Sequence, residues 1–343
     1  MSCAFFLSPL HTPAFAAEGP IQSYQSALTA YENGNIANAF IFAKLAGAGG
    51  DADAQTLVGH ILQKGELGDP DYNQAVKWYL KAAMQDNTDA MVALGQMGLL
   101  SQGGLSVSDG RNWLEKAAKL GRTDAMRALS DMYHLGKGTP PDPAKRRSWL
   151  FKAANQGDML AMRKLGDLDF EDSPKNALVW YEKAAQLGDP ESAYFAGVMY
   201  AENFAIKPDA KKSADWLRLA ALAGHPAAQA DYGLMVYQGN GTERSVKDAV
   251  IWFKKSALGG DPEGRFLYAF TLAKGEGVKQ SFEDAYYWLL RADEDSGATG
   301  IDAYDRDRAE LKKRLEDNIS PDVLARARKR AMSDKLLGNT PKP

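Results

Sequence analysis

Apolar residues recur along most of this chain at the three- and four-residue intervals of an amphipathic helix, in a pattern that repeats about every 36 residues. The clearest marker of the repeat is tryptophan. The seven tryptophans are Trp78, Trp113, Trp149, Trp180, Trp216, Trp252 and Trp288, and their spacings are 35, 36, 31, 36, 36 and 36 residues. Such a period indicates a repeat architecture rather than a single globular core.

The residues around each tryptophan repeat as well. Four copies read W-x-x-K-A-A, a small residue usually stands three positions earlier, and a glycine usually follows eight positions later, as at Gly121, Gly157, Gly188, Gly224 and Gly260. These offsets lie on one face of an α-helix that ends at the glycine. The pattern predicts that the indole rings are buried wedges between successive helix pairs and that the alanines allow close helix approach.

A second helix is predicted before each tryptophan helix, from the pattern A-x-x-x-L-G-x-M-Y-x-x-G. Its clearest copy contains Ala125, Leu129, Tyr133 and Gly136. A mid-helix glycine costs about 1 kcal/mol relative to alanine, which favours a position where another helix crosses closely. A Gly-x-Gly linker such as 136–138 joins the two helices. Each unit is therefore a helical hairpin that can bury its apolar face only within a stack.

Together the two motifs resemble the Sel1-like repeat, a relative of the tetratricopeptide repeat, with seven copies over residues 51–297. The resemblance implies an all-α fold, a right-handed α-solenoid (superhelix) of antiparallel helix pairs. Other members of this family join the helices of a hairpin by a disulfide. Because Cys3 is the single cysteine and precedes the repeats, we expect packing alone to hold these hairpins.

Weaker patterns flank the repeats. Residues 17–50 form a degenerate hairpin in which Ile41 takes the tryptophan place, with Lys44 and Gly49 at the expected offsets. Residues 298–337 form two polar capping helices, the second starting at Ser320-Pro321, and 338–343 form a tail. The fourth repeat is shorter than the others, because its linker, residues 170–174, lacks Gly-x-Gly.

The first residues suggest export. Residues 1–16 are interpreted as a signal peptide, because Ser2 to Ala17 carries no charge and Ala14-Phe15-Ala16 fits a small-x-small cleavage site. A basic region is missing, so the true start is expected upstream of Met1. We therefore expect a periplasmic or secreted protein without membrane insertion after signal removal. The alternative is an apolar tail on a cytoplasmic protein.

Composition and motifs argue against several classes of function. The net charge of −3 provides no overall attraction to nucleic acid, and the short basic run 326–330 is interpreted as a solvated helix face. His60, His134 and His225 lie in three different repeats without a second histidine at i+4, so no metal site is predicted. We found no nucleophile paired with a base, no phosphate-binding loop and no cofactor motif, and predict no cofactor and no enzyme activity.

The resemblance also suggests where a partner binds, since the first helix of each hairpin lines the concave groove in tetratricopeptide-type stacks. The groove is predicted to be charged in its middle and aromatic in its C-terminal third. The proposed protein-binding residues are Arg127, Arg163, Tyr194, Val198, Leu234, Tyr237, Phe266 and Phe270. Aromatic residues at exposed positions mark interaction surfaces. The competing interpretation is that the capping helices fold over and bury them.

These observations favour a non-enzymatic adaptor that binds a protein or peptide partner in its groove, in the cell envelope. Two alternatives stay open. One is a hydrolase acting on cell-wall or β-lactam substrates, which the resemblance to cysteine-rich relatives suggests. The other is the same adaptor retained in the cytoplasm.

Overall fold

The computed structural model describes residues 20–202, 206–296 and 305–336, and these ranges hold eighteen α-helices and no β-strand. The all-α repeat solenoid fold predicted from the sequence is confirmed. The predicted signal peptide, residues 1–16, and the tail, 338–343, lie outside the described residues. The chain divides into two compact units, Met1–Gln156 and Gly157–Pro343.

The first unit consists of four antiparallel hairpins. Its helices are α1 (Pro20–Glu32), α2 (Ile36–Ala48), α3 (Ala52–Lys64), α4 (Tyr72–Ala83), α5 (Thr88–Leu99), α6 (Val107–Lys119), α7 (Thr123–Leu135) and α8 (Pro143–Asn155). Each odd-numbered helix pairs with the even-numbered helix that follows it. The even-numbered helix then packs on the first helix of the next hairpin, so the hairpins stack in chain order.

The second unit has four further hairpins and two terminal helices. Its helices are α9 (Met159–Asp169), α10 (Pro174–Gln186), α11 (Pro190–Ala201), α12 (Ala210–Leu222), α13 (Pro226–Gln238), α14 (Val246–Leu258), α15 (Pro262–Lys274), α16 (Phe282–Ser296), α17 (Asp305–Asn318) and α18 (Pro321–Leu336). The short fourth repeat comprises α9 and α10, and α9 has only 11 residues.

Most helices start at a residue whose side chain can accept a hydrogen bond from the first turn. The side chains of Asp51, Asn87 and Asp158, for example, each accept from a backbone N–H three residues later. At α6, Ser106 and Asp109 cap one another reciprocally. Such caps satisfy backbone groups that the helix cannot. These caps define the residues at which the helices begin.

The buried wedge of each hairpin is the residue directly after the tryptophan. These residues are Tyr79, Leu114, Leu150, Tyr181, Leu217, Phe253 and Leu289, and each is at most 2% exposed. The indole rings were predicted to be buried wedges between successive helix pairs, whereas six of the seven are half-buried and only Trp288 is buried. A helix turns about 100° per residue, so the next side chain is the one that points between the two helices.

Five of the six half-buried tryptophans contact the lysine three positions later in the repeat. The ammonium nitrogens of Lys81, Lys116, Lys152, Lys183 and Lys255 lie 4.4, 4.0, 4.1, 4.5 and 4.3 Å from the ring centroids of their tryptophans. A cation over an indole face is stabilised by about 0.5–1 kcal/mol at an exposed site. The W-x-x-K spacing therefore describes a cation–π pair on the hairpin surface.

Each wedge meets the small residue in the middle of the partner helix. A methyl carbon added to Gly59 would lie 2.8 Å from the Tyr79 ring, and one added to Gly166 would lie 2.6 Å from the Tyr181 ring. The other copies have Gly95, Ser130, Gly197, Gly233 and Ala269 at this position. The expectation that the mid-helix glycine permits close crossing is confirmed.

The degenerate hairpin α1–α2 follows the repeat in a register one residue later than predicted. Ala46 and Gly47 are the buried small pair, whereas Leu45 is 65% exposed. Gly50, with φ of 101°, occupies the helix-ending position. Phe42 therefore takes the tryptophan place rather than Ile41, which is 59% exposed. Lys44 does not pair with the residue at the tryptophan place, because its ammonium group lies over the Phe40 ring.

Helix α18 packs on α16, and arginines of the basic run 326–330 form ion pairs with acidic residues of α16. Arg326 pairs with Glu283 at 2.8 Å and Arg330 with Asp284 at 2.8 Å. Arg330 also lies 4.0 Å from the ring centroid of Tyr287. The interpretation of this run as a solvated face was therefore incomplete, because its arginines attach the terminal helix to the last repeat.

In one repeat the residue that ends the tryptophan helix in the left-handed conformation is not glycine. Five copies have glycine there, with φ of 93° at Gly121, but the first full repeat has Asp86 with φ of 60°. This conformation is unfavourable for a residue with a β-carbon. Asp86→Gly is expected to raise the free energy of unfolding by about 0.5–1 kcal/mol in a urea titration.

The reciprocal change provides the control for this prediction. Gly121→Asp adds a β-carbon that makes only an ordinary contact, 3.6 Å from Gln156 Oε1, so its effect reports backbone conformation. It should lower the free energy of unfolding by a similar amount. Equal stability of both variants and the parent would show that the backbone at this position carries no strain.

Candidate functional site

The first helices of the hairpins form the inner layer of each unit. In the first unit α1 contacts α3, α3 contacts α5 and α5 contacts α7, and in the second unit α13 contacts α15. Within each unit, the side chains that these first helices direct away from their partners therefore share a surface, called the inner face of that unit below. The eight predicted binding residues belong to first helices.

Charged residues cluster at the starts of the first helices in the first unit. Arg122 Nη1 lies 2.5 Å from Asp89 and Arg122 Nη2 lies 2.7 Å from Asp124. Arg127 is half-buried on the same helix as Asp124. Its counterpart Arg163, in the second unit, pairs with the buried Asp189 at 3.3 Å.

The second unit brings four of the predicted residues together. Leu234 and Tyr237 of α13 and Phe266 and Phe270 of α15 line one cavity of about 370 Å³. The opposite wall is α17, which contributes Asp307, Glu310, Leu311 and Arg314. The cavity, called the aromatic cavity below, therefore has an apolar floor on the inner face and a mixed polar wall on the terminal helix.

The terminal helices leave the aromatic residues only partly covered. Tyr237 and Phe270 are half-buried, and Phe266 is 5% exposed. Helix α17 lies opposite these rings and leaves the space between unfilled. Full burial of Tyr237 and Phe270, which would have removed the docking hypothesis, is not observed.

Polar contacts hold the exposed rings in place. The Tyr237 hydroxyl donates a hydrogen bond to Glu276, and this bond raises the pKa of Tyr237 because it favours the protonated phenol. Lys274 Nζ lies 4.3 Å from the Phe270 ring centroid and 3.4 Å from Glu276. The cavity floor is thus ordered before any ligand arrives.

The remaining predicted residues, Tyr194 and Val198, lie half-buried on α11. The Tyr194 ring stacks on His225, with centroids 4.6 Å apart and an interplanar angle of 18°. His225 begins α13, since its Nδ1 accepts a hydrogen bond from the N–H of Ala228 at 3.2 Å, and its Nε2 lies 3.4 Å from Glu191. An imidazole in this position links two neighbouring first helices.

Sequence reasoning missed Asp231, one turn before Leu234 on α13. Burial is the main cause that raises the pKa of Asp231 to about 6, and the negative charges of Asp261 and Glu202 add to the rise. The neighbouring Tyr194 hydroxyl opposes it. No one-dimensional motif marks this residue, because its surroundings come from three hairpins.

Neither a metal site nor a membrane span is evident in the part of the chain that the structure describes. No group of three or more histidine, cysteine, aspartate or glutamate side chains among these residues could hold a metal ion. No helix among them has both the length and the hydropathy that crossing a membrane requires.

The raised pKa of Asp231 predicts that the stability of the protein depends on pH. A carboxyl group whose pKa is about 6 in the folded state and 3.8 when unfolded disfavours folding once it is ionised. Stability is therefore lost as pH rises from about 4 to above 6. Asp231→Asn should be more stable than the parent by about 1–3 kcal/mol at pH 7.5, and the difference should approach zero at pH 4.

Chemical denaturation at both pH values measures this difference. Asp215→Asn is the matched control, because Asp215 is 60% exposed and its replacement should have little effect at either pH. An Asp231→Asn variant that is less stable than the parent at pH 7.5 would contradict the prediction.

Comparisons with known proteins agree with this architecture. No curated protein matches the chain. A Sel1 repeat protein of Oxalobacter formigenes has a similar structure, with 26% identity over 86% of this chain and 87% of that one and a TM-score of 0.66. The protective antigen c5321 of uropathogenic Escherichia coli is 23% identical over 90% and 86% of the two chains, with a TM-score of 0.33.

The Sel1 repeat profile matches seven consecutive segments of the chain. They are residues 52–87, 88–121, 123–158, 160–189, 190–225, 226–261 and 262–292. These segments coincide with the seven hairpins from α3–α4 to α15–α16 and with the seven tryptophans. On this evidence the chain belongs to the Sel1 repeat family.

Proposed function

We propose that this protein is a scaffold that binds a segment of another protein on the inner face of its second unit. Sel1 and tetratricopeptide-like repeats commonly mediate protein–protein interaction. The observation that carries the proposal is the aromatic cavity, where Tyr237 and Phe270 stay partly exposed beside an unfilled apolar space.

Exposed aromatic side chains are costly unless a partner covers them. Aromatic residues dominate the energetics of protein interfaces, especially where they line pockets that a partner can fill. Glu276 and Lys274 hold Tyr237 and Phe270 in position before binding. Binding therefore costs less conformational entropy at this surface than it would at a mobile loop.

A scaffold role also fits the polar groups of the inner face. A hydrolase would need a nucleophile within reach of a base. The groups that shift the pKa of Asp231 are Tyr194, Asp261 and Glu202, which supply a hydroxyl and negative charge. This arrangement suits recognition of a donor or a cation, and we propose no catalytic role for it.

We propose that the scaffold works in the cell envelope after export. The support is the uncharged segment from Ser2 to Ala17, with Ala14-Phe15-Ala16 before the expected cleavage point. The alternative is the same scaffold in the cytoplasm.

Replacing the aromatic residues tests the binding surface. The triple variant Tyr194→Ser, Tyr237→Ser and Phe270→Ser should capture at least tenfold less of the partner proteins that the parent retains in a quantitative pull-down, because each truncated anchor typically costs 1 kcal/mol or more. Circular dichroism and a thermal melt establish that the variant is folded.

Ile251→Ser is the matched control for this experiment. Ile251 is an exposed apolar residue, 49% exposed, on the second helix α14 and thus away from the inner face. This variant should capture the same proteins as the parent. Equal capture by the folded triple variant would refute binding at the inner face.

Mass spectrometry of the protein made in its native host tests export. Cleavage after Ala16 or Ala17 should leave Ala17 or Glu18 as the first residue, and the mature chain should fractionate with the envelope or the medium. An intact N-terminus in the cytoplasmic fraction would instead support the cytoplasmic alternative.

A further inference from the structure

Two positions of every second helix lie on its outward side. One is the residue directly before the tryptophan place, and the other is the residue three positions after it, one helical turn further along. Both positions, called the outer pair below, are exposed in the six repeats before the last. None of these six repeats has apolar residues at both positions, and five of them have lysine at the second. The outer pair is therefore normally a solvated surface.

The last repeat shows that another helix can pack on the outer pair. There the pair is Tyr287 and Arg291, which are 0% and 9% exposed. Helix α18 packs on this helix and contacts Tyr287 directly. Arg330 lies 4.0 Å from the Tyr287 ring centroid, and the Tyr287 hydroxyl donates a hydrogen bond of 2.7 Å to Asp334. The outward side of a second helix is thus a place where this fold accepts a helix.

Helix α2 is the one second helix, among those that the structure describes, whose outer pair is apolar and uncovered. The pair is Ile41, 59% exposed, and Leu45, 65% exposed. Ala37 and Ala48, about one turn before and after the pair, are exposed as well. We call these four residues the α2 stripe. Phe42 at the tryptophan place is 37% exposed, because Leu45 stands where five repeats have the lysine that covers the ring.

The α2 stripe carries no charge. Lys44 is the only charged residue of the helix, and its ammonium nitrogen lies 5.2 Å from the ring centroid of Phe40. Phe40 stands about 100° away from Ile41 around the helix axis, so this contact directs the ammonium group away from the stripe. The stripe therefore offers no group that would select a charged or hydrogen-bonding ligand. Its complement is another uncharged apolar helix face.

A second copy of α2 supplies such a face. The two large residues stand in the middle of the stripe and the alanines at its ends, so the stripe is nearly the same in both directions. If two copies lie antiparallel about a two-fold axis near residue 43, Ile41 of each copy faces Leu45 of the other, and Ala37 faces Ala48. Large side chains then meet in the centre, and the small ones at the ends allow close helix approach.

We propose that the α2 stripe is a self-association surface, on which the α2 helices of two copies of this chain pack antiparallel about a two-fold axis. The inference does not depend on the proposed function, which places a partner segment on first helices of the second unit. An interface of one short helix per copy falls below the roughly 1,200 Å² of standard interfaces, so the dissociation constant should be on the order of 10–100 µM.

Sedimentation equilibrium of the full chain tests for this dimer. The weight-average mass should rise from the monomer value towards the dimer value as the protein concentration is raised through that range. A parent chain that stays monomeric at the highest of these concentrations would overturn the proposal, whether the stripe is bare or is covered by other residues of the same chain.

The double variant Ile41→Lys and Leu45→Lys tests the surface itself. It gives α2 the two residues that α4 has at its outer pair, Lys77 and Lys81, so the change is compatible with the fold. Four like charges would meet at the centre of the two-fold contact, and the dissociation constant should rise by about tenfold or more. Circular dichroism and a thermal melt establish that the variant is folded. Leu45→Lys alone is the second variant if the double one is unstable, and it should weaken the dimer by about threefold or more.

Ile251→Lys is the matched control, because Ile251 occupies the same position of α14, is 49% exposed and has Lys255 beside it. This variant should dimerise like the parent. A dimer that the folded double variant forms as readily as the parent would show that the chain associates through another surface. Equal weakening by Ile251→Lys would show a general effect of added charge, and either result would overturn the proposal.

Discussion

The architecture depends on one contact repeated in every hairpin, in which a large side chain of the second helix fits against a small residue of the first. Tyr79 against Gly59 and Tyr181 against Gly166 show the geometry. A glycine in the middle of a helix is about 1 kcal/mol less favourable than alanine. It allows the two helices to approach closely enough to bury an entire ring. Without any cysteine in the repeats, the hairpins have no covalent substitute for this packing.

Because the wedge occupies the space inside the hairpin, the first helix is free to present different residues on its other side. The first unit has charged residues such as Arg122 and Asp89 at the starts of its first helices, and the first helices of the second unit carry aromatic ones such as Tyr237 and Phe270. The hairpin packing and the proposed recognition surface are therefore specified by separate positions of the same helix. One can vary in sequence without disturbing the other.

Much of the fold could be predicted from the sequence, because the tryptophans stay regularly spaced although many of the residues between them differ from copy to copy. The hairpins and the short fourth repeat follow from spacing alone, and the last helix follows from its starting residues Ser320 and Pro321. Burial was harder to predict: a tryptophan and its neighbour differ by one position, and only the packed structure shows that Leu114 rather than Trp113 is enclosed. The surroundings of Asp231 and the role of α17 depend on side chains that meet from separate helices, which no linear motif encodes.

The half-buried tryptophans have a practical consequence. Every full repeat carries its own indole at the same position of the repeat; six of these rings are half-buried, and five of those lie beneath a lysine. A stack whose stability is a sum of local and nearest-neighbour contributions can open at one end while the rest stays folded. Chains that keep a single tryptophan, with phenylalanine at the others, would convert each repeat in turn into an optical reporter, so that fluorescence could map which hairpins open first.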